Sequence, residues 1–103
     1  MEQHYLTNEQ IAAFASSLVR AERTPATIEK YLRSVRAFFL YLDGQPVTKD
    51  AVVAWKEHLQ SVGGYSPSTV NASMAAINDL FTFLSWPDCR IHYLKVQHRL
   101  FRD

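Results

Sequence analysis

The sequence of 103 residues has few of the residues that cross-link or interrupt a chain: one cysteine, three glycines and four prolines. The single Cys89 cannot form an internal disulfide, which excludes a disulfide-stapled secreted scaffold and favours a reducing compartment. No apolar run approaches the ~20 residues that a membrane helix needs. The N-terminus also lacks the basic start and apolar stretch of a signal peptide. We therefore expect a cytoplasmic protein with no membrane partner.

An excess of one charge is absent as well. Eleven Lys and Arg residues face ten Asp and Glu residues, giving a formal net charge of +1. This balance excludes a histone-like polycation but not a local basic face. With 48% hydrophobic residues, the chain has the composition of a globular domain with one modest core rather than a disordered tail.

Motifs for catalysis and metal binding are also lacking. The sequence has no Gly-x-Ser-x-Gly elbow, no Cys-x-x-Cys pair and no glycine-rich phosphate loop. Cys89 and His92 have a possible ligand spacing and His98 follows, but a structural zinc site needs four ligands, and His4 and His58 lie in distant segments. We expect no catalytic residue, metal, cofactor or small-molecule substrate.

Apolar residues recur at three- and four-residue spacing almost throughout, which predicts an all-α fold. Four helices are delimited by capping residues, with Gln10 completing a capping box in the first and a proline at the first position of the second and fourth. The predicted N-caps are Thr7, Thr24, Thr48 and Ser66, and the predicted ends lie near Glu22, Gly44, Gly63-Gly64 and Trp86.

An internal repeat relates the two halves of the chain. Thr24-Pro25-Ala26-Thr27-Ile28 matches Ser66-Pro67-Ser68-Thr69-Val70 at an offset of 42 residues. Any two capped amphipathic helices align to some degree, but the shared proline and threonine favour a true repeat. We predict a four-helix bundle of two related helical hairpins. Past Pro87 the periodicity stops, so we predict a helical domain over 1–87 and an extended segment or a linker leaving the bundle over 88–103.

The second helix carries a candidate binding face. Its side opposite the apolar stripe has Lys30 and Arg33, with Arg36 beside them and Arg23 just before the helix. Thr24 and Thr27 place hydroxyls at the positive end of the helix dipole, where phosphates bind readily. The corresponding face of the fourth helix is small and polar. In the alternative interpretation, Lys30 and Arg33 only solvate the helix, and Glu29 pairs with Arg33 one turn away.

Two stretches, TPATIEKYLRSVRAFFLYL (24–42) and GYSPSTVNASMAAINDLFTFL (64–84), carry a family resemblance. In their order and spacing they resemble the N-terminal core-binding, SAM-like domain of tyrosine recombinases, the phage and transposon integrases. There each stretch is a helix introduced by a Ser/Thr-x-x-Thr turn, and a third helix lies between them. The tail IHYLKVQHRLFRD is similar to the linker that leads into the catalytic domain of that family.

The resemblance implies a DNA-binding domain that grips the core site for recombination or integration of a mobile element, with double-stranded DNA and other recombinase protomers as partners. The family's arginine–histidine cluster and nucleophilic tyrosine are not in this sequence, so we expect no cleavage by it. Helix four lacks the cations of many relatives, which implies weak binding by the domain alone. By position, the resemblance nominates as DNA contacts Arg23, Thr24, Thr27, Lys30, Arg33, Arg36, Ser66, Ser68, Thr69, Asn71 and Ala72.

A different function class fits the same composition. A small helical module that binds another protein, without nucleic-acid binding, would expose aromatic side chains to its partner. The candidates for that role are Tyr41, Trp86, Tyr93 and Phe101.

Overall fold

Four α-helices make up most of the domain. The computed structural model describes residues 3–94, and its elements are α1 (Asn8–Arg20), α2 (Pro25–Leu42), α3 (Lys49–Ser61), α4 (Pro67–Leu84) and a 3-10 turn (Pro87–Cys89). The all-α fold class is confirmed. Within residues 3–94 the only β-type pairing is an isolated bridge between His4 and Val47. No helix in that range is both long and apolar enough to cross a membrane.

The helices begin at the predicted caps. Thr7 accepts a hydrogen bond from the backbone N–H of Gln10, and the Gln10 side chain accepts one from the N–H of Thr7, which completes the capping box. Each of the other three caps likewise accepts from the backbone N–H three residues on. These bonds satisfy donors that a helix start leaves free, and each stabilises its helix by about 1 kcal/mol.

The helices end about two residues before the predicted stops. In α2 and α4 the chain turns through the left-handed region at Asp43 (φ 50°) and Ser85 (φ 62°), directly after the last helical residue. Helix α1 ends at Arg20, and Glu22 takes the left-handed conformation (φ 61°). A reversal at a non-glycine residue carries no strong sequence signal, because Asp and Ser are common in loops of every kind.

The internal repeat is reproduced in the helix boundaries. Helices α2 and α4 both have 18 residues and α1 and α3 both have 13. Both ends of α2 map onto those of α4 at the same offset of 42. The two hairpins therefore share lengths, caps and terminating turns, which supports the repeat over a chance alignment.

Phe38 joins three helices in the core. It is fully buried on α2, with ring centroids 6.1 Å from Trp55 of α3 and 6.3 Å from Phe81 of α4. Two sequence expectations about exposure were wrong. Val19 continues the apolar spacing of the first helix and would be expected in the core, but it is 62% exposed, because that helix buries only the side that faces α2 and α4. Trp86 was expected at the surface but is 8% exposed, between His4 and Phe81.

The core continues beyond Pro87. Cys89 in the 3-10 turn and Ile91 after it are both buried with the helical core residues. Residues 90–94, hereafter the strap, carry no regular secondary structure and lie against α3 and α4. This part of the predicted linker therefore packs on the bundle, whereas 95–103 lie outside the described residues.

Candidate nucleic-acid interface

A groove between α2 and α4, hereafter the cleft, holds several of the predicted contact residues. Its walls come from the middle of α2 and the first two turns of α4, and its floor comes from α3 and the loop that follows it. The walls are mostly small or polar side chains, so another molecule can approach the helix backbones closely. The lining includes Lys30, Arg33, Ser34 and Ala37 of α2, Ser68, Thr69, Ala72 and Ser73 of α4, and Trp55, Leu59 and Tyr65 below them.

Two cations stand on the α2 wall of this cleft. Arg33 Nη2 lies 3.5 Å from Glu29 Oε2, one turn earlier, and both side chains are largely exposed. The pairing anticipated from the sequence therefore forms, but an exposed pair of this type contributes only a few tenths of a kcal/mol. Lys30 has no carboxylate within ion-pair distance among the residues described. Both cations can therefore bind an anionic partner while losing little favourable interaction energy within the domain.

Arg36 and Arg23 occupy a different position. They line a second groove, between α1 and α2, together with Val19 and Leu40, and Arg33 lies on the ridge between the two grooves. Arg23 is also held by α4, because its Nη2 lies 3.8 Å from Asp79 Oδ2. Its guanidinium sits 5.6 Å from the ring centre of Tyr31. The fold thus divides the predicted cations between the cleft and its flank.

The starts of α2 and α4 present the same hydroxyl arrangement. Thr24 Oγ1 donates to Thr27 Oγ1 at 2.9 Å, and Ser66 Oγ donates to Thr69 Oγ1 at 3.1 Å. Each acceptor hydroxyl keeps its own hydrogen for an external acceptor. Since the proline at each first position has no N–H and the third N–H is bound by the cap, the positive helix end is presented largely through these hydroxyls and the second N–H.

Asn71 was predicted to contact DNA, but both polar atoms of its side chain form hydrogen bonds within the domain. Its Nδ2 donates to the carbonyl of Leu94 at 2.9 Å, and its Oδ1 accepts from the N–H of Leu94 at 2.7 Å. The side chain therefore binds the strap rather than standing free beside Ala72. This bond could not be predicted from the residue types, because its partner is the backbone of Leu94 and not a side chain.

The floor of the cleft was not anticipated as part of a site. Trp55 is buried there, and its ring lies 4.9 Å from that of Tyr41 and 5.5 Å from that of His58. Tyr65 closes one end over Gly63, where an added Cβ would come within 2.7 Å of the Tyr65 ring. The apolar spacing of the third helix includes Trp55, but only the packing of α3 beneath α2 and α4 places its ring in the cleft.

A second cluster lies where the N-terminal segment meets the 3-10 turn. His4 Nε2 is 3.2 Å from Asp88 Oδ2, and the potential ligand atoms of His4, Asp88 and Cys89 all lie within 4.8 Å of one another. His4 and Cys89 were expected to lie apart because they are distant in sequence, whereas the fold brings them together. Three ligands are one fewer than a structural zinc site uses, and the Cys89 thiol donates weakly to the Val47 carbonyl at 3.7 Å. We interpret the cluster as a hydrogen-bonded contact that ties the N-terminal segment to the bundle.

Stability at alkaline pH is expected to depend on Cys89. Burial, reinforced by the neighbouring Asp88, raises the pKa of the thiol from 9.0 to about 11. Because the folded pKa lies above the unfolded one, the stabilisation is complete below about pH 9 and is lost as the pH rises towards 11. Between about pH 8 and 11, urea unfolding of the wild type should lose roughly 2–3 kcal/mol more than that of Cys89→Ala. Identical pH profiles for the two proteins would contradict the shift.

The chain was compared with protein families, curated proteins and solved structures. The family model described as phage integrase, N-terminal SAM-like domain, matches residues 6–87. No curated protein and no solved structure matches the chain. The matched range contains all four helices and the whole cleft.

Proposed function

Because the chain belongs to the phage integrase N-terminal SAM-like domain family, with a recombinase-related role, we propose that it binds double-stranded DNA through the cleft and grips the recombination core site. The observation that carries this proposal is the composition of the cleft. Lys30 and Arg33 stand on one wall, opposite the small side chains of Ser68, Thr69 and Ala72. Such a surface suits a phosphate backbone on one side and close approach to base edges on the other.

The cations and hydroxyls have distinct roles in this proposal. Lys30 and Arg33 bind phosphates directly, while Arg36 and Arg23 bind the backbone where it leaves the cleft. Thr24, Thr27 and Ser66 lie at the positive ends of the two helices and position further phosphates. The first turn of α4 approaches the major groove with Ser68 and Thr69. Small side chains there leave room for the duplex but contribute little charge, so the cations of α2 carry most of the affinity.

We assign binding rather than DNA cleavage to this domain. The Cys89 thiol is buried and its raised pKa keeps it protonated at neutral pH, which makes it a poor nucleophile. In this proposal, strand cleavage belongs to a catalytic domain of the integrase type, and the partners of the domain are DNA and other protomers bound beside it in the cytoplasm.

The salt dependence of binding tests the proposal. With about five phosphates contacted, the logarithm of the association constant should fall with the logarithm of salt concentration at a slope near −4.5. Lys30→Gln should make this slope shallower by about 0.9, because one fewer counterion is released. Fluorescence anisotropy with a labelled duplex, at about 20 to 200 mM salt, measures both values.

Gln60 provides the matched control. It is an exposed residue on α3 outside the cleft lining, and Gln60→Lys adds a charge there without adding a phosphate contact. Its slope should equal that of the wild type. Salt-insensitive self-association without DNA retention at low salt would contradict the proposal and favour the protein-interaction module. Of the aromatic side chains expected to serve such a module, Tyr41 and Tyr93 are exposed, Trp86 is buried, and Phe101 lies outside the described residues.

A further inference from the structure

Two asparagines on α4 hold the strap through their side-chain amides. Asn78 Nδ2 donates to the carbonyl of Ile91 at 3.0 Å, and its Oδ1 accepts from the N–H of Ile91 at 3.2 Å. Asn71 makes the same pair of bonds with Leu94. A primary amide can satisfy both backbone groups of one residue in this way, as a neighbouring strand does in a sheet.

The distance between the two asparagines along α4 matches the distance between their two partners along the strap. Asn71 and Asn78 are seven residues apart, or two helical turns, which is about 10.5 Å along α4. Ile91 and Leu94 are three residues apart, which spans about 9.3 Å in a polyproline II conformation. Arg90 has the backbone angles of that conformation, with φ −69° and ψ 144°. The strap therefore runs antiparallel to α4, with one amide clamp at each end.

Packing supports the clamps on both sides. Ile91 is buried in the core, Leu94 packs partly against it, and Asn78 is only 3% exposed. From α3, the Lys56 ammonium donates to the carbonyl of His92 at 3.2 Å. Asn78 is the one buried polar side chain among the residues described, and both of its amide atoms are satisfied by the strap. A buried amide of this kind favours one position of the strap, because any shift of the strap would leave buried polar atoms without hydrogen-bond partners, at a cost in free energy.

We propose that Asn71 and Asn78 are positioning residues that fix where the chain leaves the domain. Leu94 is bound at Asn71, one position from Ala72 in the cleft wall. The strap therefore ends at the edge of the cleft instead of at the end of α4, about 20 Å further along that helix. Naming this edge as DNA-facing rests on the proposed function, whereas the clamps themselves do not. In a recombinase the clamps set the point from which the next domain reaches the duplex.

Amide hydrogen exchange on the full 103-residue chain tests the clamps. The amides of Ile91 and Leu94 should be protected in the wild type. Asn71→Ala should speed exchange of Leu94 by at least tenfold while leaving Ile91 protected. Asn71→Asp keeps the acceptor for the Leu94 N–H but loses the donor, so protection should be intermediate. Ser68→Ala, in the cleft wall but without a strap contact, is the matched control and should change neither amide.

Exchange and DNA affinity separate the possible failures. An unprotected Leu94 in the wild type, or unchanged Leu94 protection in Asn71→Ala, would overturn the proposal. A large loss of DNA affinity in Asn71→Ala with Leu94 still protected would also overturn it, by making Asn71 a DNA contact. We expect affinity for a labelled duplex at low salt to stay within about twofold. If the wild type binds no DNA while the protection pattern holds, the DNA-binding function fails and the clamps stand.

Discussion

Replacing Lys30 and Arg33 together by Glu is expected to abolish DNA binding. The double variant removes two phosphate contacts from the cleft wall and introduces two repulsive charges in their place. With about five phosphates contacted by the wild type, the net number neutralised falls to about one, and the salt slope falls towards −0.9. The affinity at about 0.1 M salt should drop by more than about 100-fold. Anisotropy titration with a labelled duplex measures the loss.

The same change in net charge elsewhere serves as the control. Arg20→Glu with Lys49→Glu also reverses two exposed cations, but neither residue lines the cleft or the α1–α2 groove. This variant should retain most of the affinity, because phosphates bind at short range and bulk charge is screened beyond about 10 Å. Circular dichroism should show unchanged helicity for both variants. Undiminished binding by the Lys30 and Arg33 variant would remove α2 from the interface.

Replacing Phe38 by Ala is expected to cost about 3–5 kcal/mol of unfolding free energy. The ring is fully buried where α2 meets Trp55 of α3 and Phe81 of α4. Truncation leaves a cavity beneath the cleft that its neighbours can fill only in part. A domain of this size is stable by about 5–15 kcal/mol, so the variant loses a large part of its margin. Urea unfolding and a fall in Tm of at least about 12 °C check the expectation.

Leu40 provides the comparison on the same helix. It is 75% exposed, so Leu40→Ala removes a similar type of side chain with almost no loss of buried area. Its unfolding free energy should stay within about 0.5 kcal/mol of the wild type. Equal effects of the two substitutions would contradict the placement of Phe38 at the centre of the core.

Most of the fold was predictable because its signals are local. A cap accepts a hydrogen bond from the N–H three residues away, and a proline at the first helical position has a backbone angle that already suits the helix. Thr24 and Pro25 therefore predict the start of α2 without any information about the tertiary structure. The repeat at Ser66 and Pro67 announces α4 in the same way. The end of α1 has no such local signal, because Glu22 has no intrinsic preference for the left-handed conformation that it adopts.

The site was only partly predictable because it depends on how helices cross. The helical period places Lys30, Arg33 and Arg36 on neighbouring parts of α2, but only the positions of α1 and α4 put Lys30 in one groove and Arg36 in another. The proximity of His4 to Asp88 is also a tertiary result, across 84 residues of sequence. The contact between the strap and α4 could not be predicted for a further reason. The asparagine amides bind backbone groups of the strap, and a backbone group is the same whatever the residue type.

The internal repeat gives equivalent helix positions different chemistry in its two copies. At an offset of 42, Lys30 and Arg33 correspond to Ala72 and Ala75, whereas Glu29 and Arg36 correspond to Asn71 and Asn78. The first copy keeps charged side chains at all four positions, and the second has small side chains at two and strap-binding amides at the others. The two hairpins therefore use equivalent positions differently: those of α2 present charged side chains, and those of α4 bind the strap or leave space beside the helix. Such a division of roles is the pattern expected when two copies of a hairpin diverge.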